Sequence, residues 1–94
     1  MCKIKAKYLN IGNKFIYENE PYMILEKGRK WLMCKNLKIK EIRYVSTEIE
    51  VEMGLASFYK EGDVLIVTPQ MKKYLETEFV CHRLADGIYR ITNK

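Results

Sequence analysis

Apolar and polar residues alternate with period two along most of this chain, and that periodicity predicts β-strands. Cys2, Ile4, Ala6 and Tyr8 alternate with Lys3, Lys5 and Lys7, which gives a half-buried strand with a lysine face. Asn10-Ile11-Gly12-Asn13 reads as a turn. Phe15 to Tyr17 and Tyr22 to Leu25 flank Glu18-Asn19-Glu20-Pro21 and predict a hairpin. Pro21 lacks an N–H, so it suits a turn or the entry of a strand. Lys27-Gly28-Arg29-Lys30 is a second turn and leads into a strand at Trp31 to Cys34. Leu37-Lys38-Ile39-Lys40 alternates again, as does Glu48 to Met53, whose three glutamates share one face. Gly54 breaks that run, and Leu55 to Tyr59 fits either a short strand or one helical turn. After a turn at Lys60-Glu61-Gly62-Asp63, Val64-Leu65-Ile66-Val67 shows no polar alternation, which predicts a central strand buried on both faces.

One segment changes period. Thr68 can cap a helix and Pro69 suits its first turn. Met71, Tyr74 and Leu75 then fall at three- and four-residue spacing, so a helix is expected over about residues 69–77. Phe79 to Leu84 and Ile88 to Thr92 flank Asp86-Gly87, a strong hairpin signal. A plain two-residue turn there sets Leu84 opposite Tyr89, Arg83 opposite Arg90 and His82 opposite Ile91. Val80, His82, Leu84, Tyr89 and Ile91 would then face the core. The expected fold is α+β and mostly antiparallel β: a small bent or barrel-like sheet over residues 1–53, one short helix and a C-terminal β-hairpin. Nothing divides the chain, so residues 1–94 are read as a single domain.

The segment carrying Leu9, Gly12, Phe15 and Tyr22 resembles the opening of SH3-like barrels in small phage and translation-associated proteins. There too a leucine, a glycine turn and an aromatic hairpin follow one another. The short chain rich in Lys, Ile, Tyr and Glu is also similar to phage or mobile-element accessory proteins. These resemblances imply a small barrel and an accessory role, and they assign no functional residue.

Charge sharpens the picture. The net charge of the 94 residues is +5. Residues 1–45 hold 11 Lys and Arg against 4 Glu, whereas residues 46–94 hold 6 against 8 acidic residues. A basic N-terminal half suits an anionic partner such as nucleic acid or a nucleoprotein complex. Three widely spaced cysteines without a CxxC imply reduced thiols and a cytoplasmic setting. No apolar run is long enough to span a bilayer, so no membrane partner is expected.

Candidate sites follow from these patterns. Lys27, Arg29 and Lys30 stand in a turn beside Trp31, the sole tryptophan, and together form a plausible contact surface if the indole is not spent in the core. Lys38 and Lys40 extend that basic half. Arg83 and Arg90, as cross-strand neighbours, would need an anion between them: an internal carboxylate such as Glu76, Glu78 or Asp86, or an external phosphate. Lys3, Lys5 and Lys7 carry either phosphate contacts or a ladder of ion pairs with Glu48, Glu50 and Glu52, and the matching spacing of opposite charge favours the ladder.

Neither zinc spacing nor a nucleophile motif, P-loop or dinucleotide fingerprint is present, so no cofactor, metal or catalytic residue is expected. The expected function is that of a non-enzymatic binding protein contacting nucleic acid or a nucleoprotein complex. The alternative is a phage-type inhibitor or adaptor that blocks a host enzyme or defence complex by protein contact. Edge strands in so small a sheet could also pair across a homodimer.

Overall fold

A computed structural model describes residues 3–94, apart from the side chain of Ala56. The expectation for Cys2 lies outside the described residues. Among the described residues, nine strands form two antiparallel sheets. The larger contains β1 (Lys3–Lys5), β2 (Lys14–Tyr17), β3 (Glu20–Lys27), β4 (Trp31–Asn36), β5 (Ile42–Ser46) and β6 (Glu50–Glu52), in the order β1-β6-β2-β3-β4-β5. The smaller contains β7 (Val64–Ile66), β8 (Phe79–Ala85) and β9 (Ile88–Asn93), in the order β7-β9-β8. Helices α1 (Leu55–Phe58) and α2 (Pro69–Glu78) complete the chain.

The larger sheet has to curl. Four strand spacings separate β5 from β6, about 19 Å across a flat sheet. The link from Ser46 to Glu50 can reach only about 14 Å when fully extended. The two ends of the sheet must therefore approach each other, giving a half-barrel. Backbone bonds fasten that approach. Ala6 N donates to Ile49 O at 2.9 Å and Lys7 N to Thr47 O at 3.0 Å. These bonds also end the first strand at Lys5, because Ala6–Tyr8 turns into a 3-10 helix to reach them.

The turns obey local chemistry. Glu18 and Asn19 both have positive φ, 52° and 62°, the conformation that a two-residue hairpin needs. Pro21 lies inside β3 opposite Ile16, yet β4 pairs with β3 only from Tyr22 onward, so the missing N–H costs no ladder bond. Thr68 caps α2 by accepting from Met71 N at 3.2 Å, and its hydroxyl donates to Tyr8 O. The helix thus starts where expected and runs one residue further than expected, to Glu78.

Both sheets and α2 close over one apolar cluster. Phe15, Ile24, Leu32 and Cys34 contribute from the larger sheet, Met71 and Leu75 from the helix, and Ile91 from the smaller sheet, all 0% exposed. Buried Asn13 links the sheets: its Nδ2 donates to Ile66 O at 3.1 Å while its Oδ1 accepts from Asn10 N at 2.8 Å.

Three expectations are corrected. Leu37–Lys40 is the β4–β5 loop and not a strand. The Asn36 side chain accepts from Lys38 N and Ile39 N, at 2.9 and 3.1 Å, and this local turn outcompetes the ladder. Val64–Ile66 is an edge strand, not a central one, and Val64 and Ile66 stay 51% and 55% exposed. The C-terminal hairpin keeps its two-residue turn, with Ala85 opposite Ile88, but a bulge at Leu84 shifts everything beyond it by one. Arg83 stands opposite Tyr89 and His82 opposite Arg90, so the two arginines are not cross-strand partners. Because strand faces alternate, the shift inverts the predicted core face on β8, while Tyr89 and Ile91 on β9 stay on the core side as expected. Phe79 and Cys81 turn inward with Ile91, and Val80 and His82 turn to solvent. The reason is chemical: apolar Phe79 gains from burial, whereas an inward His82 would need a buried partner. Outside, its Nε2 meets Thr92 Oγ1 at 2.9 Å.

Candidate functional site

The period-two pattern of β4 sends Leu32, Cys34 and Asn36 inward and leaves Trp31, Met33 and Lys35 on the outer face of the half-barrel. On β5, Val45 points inward, and Ile42, Tyr44 and Ser46 point outward. The register sets Trp31 opposite Ser46, Met33 opposite Tyr44 and Lys35 opposite Ile42. Tyr44 Oη donates to Met33 Sδ at 3.3 Å, which lays the phenol ring along the face. Trp31 is 58% exposed and Tyr44 62% exposed. The tryptophan is therefore a surface residue and no part of the core. Its position follows from a tight turn: Gly28 N donates to Trp31 O at 2.8 Å, and a Cβ on Gly28 would come within 2.9 Å of that oxygen.

Cations stand at both ends of this apolar strip. Arg29 and Lys30 occupy the turn before Trp31, Lys35 lies on β4, and Lys38 and Lys40 lie in the loop after it. None of the five forms an ion pair among the described residues. Glu26, opposite Met33, and Glu41, beside the loop, are the nearby acids in register and in sequence. The strip is also open at its side, because β5 is the last strand of the sheet.

Other predicted site residues are occupied elsewhere. Lys27 Nζ donates to Lys7 O at 3.2 Å and to Asn10 Oδ1 at 3.5 Å, and burial lowers its pKa. It fastens the barrel seam and does not join the strip. The lysine stripe forms the expected ladder in register only: Lys3 stands opposite Glu52 and Lys5 opposite Glu50 across β1 and β6, while the ion pairs of Lys5 and Lys7 both go to Glu48. Glu48 accepts from Lys7 at 3.2 Å and from Lys5 at 3.3 Å, and these bonds, Lys7's first, depress its carboxyl pKa. Arg83 is paired with Asp86 within the hairpin turn. Arg90 stands alone on the outer face of the smaller sheet, between Val64 and His82 in register.

Ile42, Tyr44 and Met33 were not read as site residues in the sequence. The alternation Ile42-Arg43-Tyr44-Val45-Ser46 is a legible strand signal, and it would have aligned Tyr44 with the tryptophan strand. Arg43, the residue between them, is committed internally. It donates to Tyr22 Oη at 3.1 Å, pairs with Glu18 at 2.6 Å and lies 5.2 Å from the Tyr17 ring centroid.

Among the described residues, no helix is long and apolar enough to cross a membrane. The chain matches no protein-family model, no curated protein and no solved structure.

Proposed function

We propose that the protein binds single-stranded nucleic acid along the outer face of β4 and β5. The observation that carries this reading is the pair of exposed rings, Trp31 and Tyr44, on adjacent strands with unpaired cations at both ends. Bases of any sequence stack on such rings, each worth about 1–3 kcal/mol, while Lys and Arg follow the phosphates. Arg29, Lys30, Lys38 and Lys40 supply the charge in this reading, and no catalytic group is required.

Trp31 is the sole tryptophan, so its fluorescence reports on the strip directly. Titration with a single-stranded oligonucleotide should quench it. The affinity should fall with salt, with a slope of about 0.7 per neutralised phosphate. Exchange of Arg29 and Lys30 for Glu should weaken binding at least tenfold without changing the melting midpoint by more than a few degrees. An affinity indifferent to salt, or unquenched tryptophan at saturation, rules the reading out.

A second reading, a protein inhibitor or adaptor, is favoured by a different surface. Val64, Ile66, Val80 and Leu84 are 42–55% exposed on the smaller sheet, and an aliphatic patch of that kind suits a protein surface better than a nucleic acid. Under this reading, changing Ile66 and Leu84 to Ser abolishes co-purification of a protein partner and leaves the tryptophan strip intact.

A further inference from the structure

A groove of about 690 Å³, open to solvent, lies between β1 and α2, away from the tryptophan strip. That volume falls in the range of small-molecule sites, about 300–1,000 Å³. Its walls have a simple origin. Helix α2 turns Met71 and Leu75 into the core. The neighbouring stripe, Gln70, Lys73, Tyr74 and Thr77, falls at positions i, i+3, i+4 and i+7 and so forms one continuous face. That stripe lines one side of the groove, and Lys3 and Tyr8 line the other.

The charges in the groove are unequal. Lys5 also lines it but is held by Glu48 at 3.3 Å, and Glu50, the one acid in the lining, faces Lys5 across the ladder. Lys3 and Lys73 remain, one from each wall, and neither forms an ion pair among the described residues. The groove thus offers two ammonium groups outside any ion pair among the described residues, of which Lys3 stands opposite Glu52 in the strand register, together with two half-buried phenol rings and the amide and hydroxyl of Gln70 and Thr77. The Thr77 hydroxyl donates to Tyr74 O at 2.6 Å, which leaves its oxygen able to accept.

We propose that this groove binds a free nucleoside polyphosphate. The phosphates lie between Lys3 and Lys73, and the base rests against Tyr74 and Tyr8. A flat aromatic body carrying concentrated negative charge is the chemistry that matches both features of the walls. Phosphate alone would leave the rings unused, and an uncharged aromatic would leave the ammonium groups unused. The site shares no residue with the β4–β5 strip, so it stands or falls independently of the oligonucleotide reading.

The test is an amide-resonance titration of the full chain with ATP, adenosine and inorganic pyrophosphate as separate probes. ATP should shift the amides of Gln70, Lys73 and Thr77 and leave those of β4 and β5 in place. Adenosine and pyrophosphate should each bind at least tenfold more weakly than ATP. Lys73→Glu, on an exposed residue, should weaken ATP binding at least tenfold with the melting midpoint unchanged. Tyr74→Leu, which keeps apolar volume, should weaken it about as much. The proposal is overturned if ATP leaves the α2 amides unmoved, if either half-ligand matches ATP, or if Lys73→Glu binds ATP as the parent does.

Discussion

The two sheets each leave one face in water, and the faces have opposite characters. The larger sheet exposes rings, Trp31 and Tyr44, and surrounds them with Arg29, Lys30, Lys35, Lys38 and Lys40. The smaller sheet exposes aliphatic side chains, Val64, Ile66, Val80 and Leu84, and Arg90 is its one cation directly in register with them. Rings with cations suit the flat bases and charged backbone of a nucleic acid. Branched aliphatic groups offer no stacking surface and gain only from close packing against other apolar atoms. Net charge alone, +5 over the whole chain, would not have separated these surfaces. The separation comes from which strand faces are outward.

The largest effect should come from the core that both sheets share. Phe15 is fully buried and stacks on Tyr22 with ring centroids 5.5 Å apart. Phe15→Ala should cost about 3–5 kcal/mol in denaturant unfolding. Ile66→Ala, at an exposed position, should change stability by no more than about 0.5 kcal/mol. Similar losses from both would mean that the outer aliphatic face is needed for folding, and the comparison of two optional surfaces would fail.

Alkaline pH should separate the regions next. Burial pushes the Cys34 thiol from 9.0 up to about 11, against a smaller opposing pull from Arg43. Burial likewise pushes the Tyr59 phenol from 10.0 up to about 12. Lys14 N donates to that phenol oxygen at 2.9 Å. The unfolded chain releases these protons near pH 9 and 10, while the folded chain keeps them. Stability should therefore be full below pH 9 and decline as pH rises toward 12. Each group should account for a loss on the order of 2–3 kcal/mol when titrated in full. In melts, Cys34→Ala should shrink the loss that begins near pH 9 without abolishing it, because burial also raises the Cys81 thiol. A loss of unchanged size would place the alkaline weakness outside the larger sheet.

Binding should respond by about 1–3 kcal/mol. Trp31→Ala should lose that much oligonucleotide affinity, since a stacking ring is removed. Leu84→Ser, on the other face, should lose none. Anisotropy titrations of both variants read the contrast directly, and equal losses would erase it. The smallest effect is expected at Arg90. It is not opposite Arg83, so Arg90→Ala relieves no repulsion and should shift stability by no more than about 0.5 kcal/mol. Inorganic phosphate should not raise the melting midpoint through this hairpin. A midpoint that rises with phosphate in the parent and not in Arg90→Ala would make this face an anion site after all.

Local chemistry was legible wherever a short segment could satisfy itself. Thr68 and Pro69 announced α2, because a capping oxygen and a preset φ act within one turn. Asp86-Gly87 announced a two-residue turn, and Gly87 adopts φ 74° there. The facing spacing of Lys3, Lys5, Glu50 and Glu52 announced a ladder. The antiparallel α+β fold followed from these signals together with the period-two pattern. Of the candidate site, the basic turn Arg29-Lys30 beside Trp31 was legible; the exposed Tyr44 across the ladder from it was not.

What remained hidden depended on residues far apart in the chain. Val64–Ile66 is a branched apolar run, and such a run reads as a buried strand until β9 is seen to pair with it on one side only. The bulge at Leu84 cannot be inferred from the turn, because it is selected by what lies beneath the hairpin. Ile91, Met71 and Leu75 reward an inward Phe79 and would have left an inward His82 unsolvated. Trp31 is outside for the same kind of reason: Leu32 and Cys34 fill the barrel, so period two puts the indole in water. Spacing determines which residues share a face. Which face is inward is decided by the packing of distant segments, since burial is a property of the closed core and not of any strand alone.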